Sequence, residues 1–150
     1  MSKNDMRVAI VTGASSGIGR ATALALGRAG YRVFGTSRKA HPASADGITM
    51  LACDVTDDDS VRNMVTEVVG AAGRIDLLVN NAGIGLFGAA EESSAAQARA
   101  LFDVNVFGVL RVTNAVLPEM RRQKHGRIIN ISSVLGLVPS PYSVLMSTQN

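Results

Sequence analysis

The chain has 150 residues, 47% of them hydrophobic and 18% charged, with a net charge of +3 and an isoelectric point near 9.5. That is one domain's worth of chain with enough apolar content for a core, and its apolar runs are broken by Gly, Arg or Asn short of membrane-spanning length. The basic residues are scattered, aromatics are 4% with no Trp, and Cys53 stands alone, which excludes a base-stacking nucleic-acid surface and an internal disulfide and leaves a small acidic ligand as the reason for basicity.

The N-terminal apolar stretch is too short for a signal peptide, so a cytoplasmic setting is expected. It belongs instead to a first strand, Arg7–Thr12, whose β-branched run reads as buried. Gly13, Gly17 and Gly19 follow at once, and a helix spanning Ile18–Ala29 begins within them. A glycine turn between a buried strand and a helix start presents backbone N–H groups and the positive end of the helix dipole to an anion. The residues around it, Gly13, Ser15, Ser16, Gly17, Ile18 and Gly19, are candidate pyrophosphate contacts, with glycine needed for close approach. The spacing differs from the usual G-x-G-x-x-G, and a tight structural turn is the alternative reading.

A second strand, Arg32–Thr36, leads into Ser37, Arg38 and Lys39. An acid near this point suits the ribose hydroxyls of NAD; a serine and two cations suit a 2′-phosphate, which favours NADP over NAD. After a third strand, Ile48–Ala52, come Cys53, Asp54 and Val55, where Asp54 either accepts from an adenine amino group or simply forms a turn. Cys53 itself reads as a small core residue. Thr56 supplies a capping oxygen and Asp57, Asp58 and Asp59 the acids of a first turn, opening a helix over Ser60–Ala72. Gly30 and Gly73 fall where helix C-caps belong.

A fourth strand, Leu77–Asn80, is followed by Asn81, Ala82 and Gly83, small and polar enough to bring backbone near a ribose. A long helix near Ala95–Gln123 and a fifth strand, Arg127–Ser132, complete the pattern. Strands apolar throughout and separated by helices mean a parallel sheet covered on both faces, a doubly wound α/β fold. Ligands of such folds bind beyond the strand carboxyl ends at the topological switch point, where the glycine turn would lie. No metal is expected, since His41 and His125 have no partner at ligand spacing and the acidic triplet reads as a solvated helix end.

Together, TGASSGIG at 12–19, Asp54–Val55, NNAG at Asn80–Gly83 and ISSVLG at Ile131–Gly136 make the chain resemble the short-chain dehydrogenase/reductase family from Arg7 to Asn150. The resemblance implies a Rossmann-type sheet, an NADP(H) or NAD(H) cofactor, and hydride transfer between nicotinamide and a small carbonyl or alcohol. It implies that Asn105 and Ser133 are catalytic, the serine bonding the reacting oxygen and the asparagine holding a water of the proton relay. It also implies a homo-oligomer for the full-length family member, an expectation weaker for this chain; the absence of a nucleic-acid or membrane partner is expected from the scattered cations and short apolar runs. Phe87, Leu137 and Val138 would line an apolar wall of a substrate pocket.

The final residues depart from the family's Tyr-x-x-x-Lys pattern. Aligned on Pro141-Tyr142, the acid/base position is Met146 and the lysine position Asn150. A thioether has no proton to donate, and an amide carries no charge to depress a neighbour's pKa. Tyr142 lies about 6 Å of helix rise too early to substitute and reads as a cleft wall. A one-base deletion ahead of the Met146 codon would account for both departures and the early end; true divergence is the alternative. Either way the chain is expected to be catalytically impaired. Without later strands the fifth strand would be an exposed apolar edge on a poorly stable product. Three readings stay open: a damaged NADP-dependent reductase, an NADP-binding pseudoenzyme, and an unstable fragment.

Overall fold

A computed structural model describes residues 6–39, 46–86 and 90–134. His41, Phe87, Gly136, Leu137, Val138, Tyr142, Met146 and Asn150 lie outside them. The chain alternates β1 (Val8–Val11), α1 (Gly17–Arg28), β2 (Arg32–Ser37), β3 (Ile48–Ala52), α2 (Asp58–Ala72) and β4 (Leu77–Asn80). A short 3-10 turn at Ala90–Glu92 then leads to α3 (Ala95–Phe102), a π-turn (Asp103–Phe107), α4 (Gly108–Gln123) and β5 (Arg127–Asn130). The strands form one sheet in the order β3-β2-β1-β4-β5, and every pair is parallel.

The doubly wound reading is correct, and side-chain alternation shows why. In β1, Val8 and Ile10 join Phe34, Leu78, Val61, Met64, Val112 and Val116 in a core covered by α2 and α4. Ala9 and Val11 face the other way, toward Val33, Leu77, Val79 and Ala23 of α1. All four residues of β1 are buried, as a central strand covered on both faces requires. The order reverses between β1 and β4, and the loops following those strands open beside each other there.

Several boundaries differ from expectation for identifiable reasons. Asp57, not Thr56, caps α2: its carboxylate accepts from the Asp59 and Ser60 N–H groups, while the Thr56 hydroxyl turns back to Asp54. The long helix is interrupted, because the Gly108 N–H reaches back five residues to the Asp103 carbonyl. Gly30 and Gly73 take the positive φ that ends α1 and α2. By length and mean hydropathy (1.4) the run Ala95–Gln123 matches a membrane span, a test that core helices also pass; its Val112, Val116 and Met120 are buried in the sheet core. Among the described residues β3 and β5 are the two sheet edges, with Ile129 of β5 41% exposed and Ile131 just beyond it 43% exposed.

At the strand N-termini a polar cluster ties the sheet together. The buried Asp76 carboxylate accepts from the Val8 N–H (2.7 Å) and from Arg74 Nε and Nη2 (2.8 and 2.6 Å). Gln123 at the end of α4 exchanges two hydrogen bonds of 2.8 Å with the Ile75 backbone.

Candidate functional site

The loop after β1 is built by close packing. Gly13 has φ +66°, and a Cβ there would sit 2.9 Å from the Ala82 Cα. A Cβ on Gly19 would come within 2.3 Å of both the Asn81 amide nitrogen and the Gly13 carbonyl oxygen. Gly19 is therefore dictated by contact within the protein, whereas an added Cβ on Gly17 would meet nothing within 4 Å. That differs from the expected reason, close approach of a ligand, at the position where it is tightest.

The neighbouring loop after β4 is pinned to this turn. The buried Thr12 hydroxyl accepts from the Asn81 and Ala82 N–H groups, each at 2.9 Å, and Asn81 Nδ2 donates to the Thr12 carbonyl at 2.9 Å. Asn80 points inward and donates to Asn130 Oδ1 (2.9 Å) and Thr113 Oγ1 (3.2 Å), tying β4 to β5 and α4. The polar side chains of this stretch thus fix the loop, and its backbone faces the opening.

Between the two loops lies a crevice of about 570 Å³. It is lined by Gly13, Ser15, Ser16, Gly17, Ile18 and Gly19 around the first loop and by Ser37 and Arg38 at the end of β2. Asp54 and Val55 after β3, and Asn81, Ala82 and Gly83 after β4, complete what the sequence singled out. Thr36, Cys53, Ile84 and Val104 also line it and had been missed; each directly flanks a residue already chosen. Lys39 is not among the lining residues: it is exposed, and its carbonyl accepts the Ser37 hydroxyl at 2.5 Å. Ile18, 65% exposed, presents an apolar surface at the rim.

The electrostatics of the crevice favour an anion at one end. Ser16 is the N-cap of α1 and makes no side-chain cap hydrogen bond, whereas Asp57 and Ser94 cap α2 and α3 with their side chains. The first N–H groups of α1 are thus left for another acceptor. Asp54 Oδ1 accepts from both the N–H and the hydroxyl of Thr56, which, with the charges of Arg38 and Arg111, holds its carboxyl below the usual range. The turn reading of Asp54 is therefore realised, and Oδ2 is the oxygen left for a ligand. Burial pushes the Cys53 thiol up to about 11, so it stays protonated at neutral pH.

Asn105 sits in the π-turn and clasps the loop after β4: Oδ1 accepts from the Ile84 N–H and Nδ2 donates to the Ile84 carbonyl, both at 2.9 Å. Its side chain thereby holds backbone at the crevice mouth. Ser133 follows β5, half-buried, on a segment fixed by the Ile131 N–H donating to the Asn80 carbonyl at 2.9 Å. It is not among the crevice-lining residues, though it shares the strand carboxyl-end side.

Comparison with known proteins fits this architecture. The model of the short chain dehydrogenase family matches residues 7–148. A 3-ketodihydrosphingosine reductase of Bacteroides thetaiotaomicron is 44% identical over 137 residues, covering 91% of this chain and 50% of the relative. An actinorhodin polyketide ketoreductase variant solved with NADPH superposes with a TM-score of 0.92 at 34% identity, covering 99% of this chain and 61% of that one. ElxO solved with NADP superposes with a TM-score of 0.89 at 32% identity, covering 96% and 62%. The chain spans about half the length of the curated relatives it matches. It belongs to the short-chain dehydrogenase family of oxidoreductases.

Proposed function

We propose that this chain forms the nucleotide-binding part of an NADP(H)-dependent reductase of small carbonyl compounds, or dehydrogenase of the corresponding alcohols. The observation that carries the reading is the crevice at the switch point, which joins an uncapped helix N-terminus to Arg38 with no acid at the end of β2. The pyrophosphate would lie on the N–H groups of Gly17–Gly19, the 2′-phosphate by Arg38 and Ser37, and the adenine between Asp54 and Val55. Asn81, Ala82 and Gly83 would flank the ribose of the nicotinamide half. Arg38 is the stronger candidate of the two cations, because Lys39 lies outside the lining. That NADP and NADPH occupy similar folds in ElxO and the ketoreductase supports the choice of cofactor.

The bound cofactor would supply or accept the hydride. In the chain, Ser133 would donate a hydrogen bond to the reacting oxygen, and Asn105 would hold the loop bearing Ile84 so that the oxygen stays in reach. With Met146 at the aligned acid/base position and Asn150 at that of the lysine, we expect binding of nucleotide with little turnover. Buried, free Cys53 supports a cytoplasmic setting. A titration of this chain with NADPH and NADH, followed by nucleotide fluorescence, tests the reading. NADPH should bind about tenfold or more tightly than NADH; equal affinity removes the role given to Arg38, and no binding of either removes the nucleotide site.

A further inference from the structure

The crevice wall at Asp54–Val55 and the turn carrying Asn105 meet at one side chain, behind the crevice lining. Arg111, on α4, donates from Nη1 to Asp103 Oδ1 at 2.7 Å and lies 3.4 Å from the carbonyl oxygens of Val55 and Asp103. Its Nε pairs with Asp58 Oδ1 at 3.0 Å. One guanidinium therefore touches the loop after β3, the first turn of α2 and the entrance of the π-turn. Its planar fork of donors allows three directions at once, which an ammonium on a flexible stem does not match.

Gly108 brings α4 close enough for this. A Cβ there would stand 2.8 Å from Val55 Cγ2, so the helix backbone rests on the crevice wall itself. Val104, adjacent to Asp103, lines the crevice, and Asn105 grips Ile84. Only Val104 separates Asp103 from Asn105 in this widened turn, and π-turns of this kind recur at functional sites.

We propose that Arg111 is a positioning residue that fixes the spacing between the Asp54–Val55 wall and the Asn105 turn, so that nucleotide wall and asparagine keep one geometry. Its consequence for ligands rests on the nucleotide reading above; the geometric coupling does not. An ordinary ion pair between α2 and α4 would instead affect stability alone.

The test uses R111M and R111K in the full 150-residue chain, with D103N as a second variant should R111M fail to fold. Three quantities are read: melting temperature, dissociation constants for NADPH and 2′,5′-ADP, and the Asn105 side-chain amide resonances, assigned with N105D and recorded well below unfolding. R111M should move the Asn105 amide pair toward solvent-exposed positions and weaken both nucleotides roughly three- to tenfold, with R111K between it and wild type. D103N should move the same resonances. A lowered melting temperature with unmoved Asn105 resonances and wild-type affinities, in R111M or in D103N, overturns the proposal. If the wild-type chain binds neither nucleotide, the nucleotide reading fails by itself and the Asn105 resonances alone decide the coupling.

Discussion

Thr12→Val tests how the two loops of the crevice are joined. The substitution preserves shape and replaces with a methyl the hydroxyl that takes the Asn81 and Ala82 N–H groups at 2.9 Å. Thr12 is 2% exposed, so no water replaces that oxygen from its own side, while the two donors are half-buried. An unsatisfied buried donor costs about 1–3 kcal/mol, and partial solvation places these two toward the lower end, giving about 2–4 kcal/mol together. For a chain of this size that lowers the melting temperature by roughly 5–15 °C. Thr12→Ser keeps the oxygen and loses one methyl, about 1 kcal/mol. Thermal unfolding followed by circular dichroism separates the two variants, and an NADPH titration should show the valine variant binding more weakly. Equal destabilisation by serine and valine would refute the reasoning, because the oxygen would then contribute nothing.

Three further outcomes follow from the same contacts. Burial pushes the Asp76 carboxyl up, but the Arg74 hydrogen bonds, the Val8 N–H and the charges of Arg74 and His125 pull it net below its ordinary value. Its stabilisation is therefore complete above about pH 4 and lost as pH falls through the lower folded-state value, so wild type should lose melting temperature on acidification more steeply than Asp76→Asn; parallel curves would sink the assignment. Gly19→Ala should lower stability by about 1–3 kcal/mol and NADPH affinity at least about tenfold, since the new methyl meets Asn81 and the Gly13 carbonyl; affinity within twofold of wild type contradicts the packing account. Arg38→Asp should lower the NADPH-to-NADH affinity ratio about tenfold or more, and an unchanged ratio would move the 2′-phosphate site elsewhere.

The sheet was readable because its central strands β1 and β4 are buried on both faces, which leaves uninterrupted apolar runs such as Val8–Val11 and Leu77–Val79. The crevice was readable because such folds place ligands at the carboxyl ends of strands, and the residues after β1, β2, β3 and β4 converge there. What stayed hidden depends on side-chain direction. Periodicity cannot register the π-turn, since the apolar spacing through Asp103–Phe107 passes for helix. Nor does it distinguish Thr56 from Asp57 as cap, which rests on where the Thr56 hydroxyl turns. Lys39 follows Arg38 in sequence, yet the lining includes only Arg38. Arg111 reads as one more solvated cation on a helix, and only the approach permitted by Gly108 brings it to three backbone and carboxylate partners.

The central claim is that the switch-point crevice holds NADP(H). Backbone amide resonances of the 15N-labelled chain, followed during addition of NADPH up to about 1 mM, test it most directly, since cofactors and substrates of ordinary enzymes bind within that range. The account predicts concentration-dependent shifts concentrated at Gly13–Gly19, Arg38, Asp54–Val55 and Asn81–Ile84, with Gly70–Arg74 at the opposite strand ends unmoved. No shifts, or shifts centred on that opposite end, would contradict it.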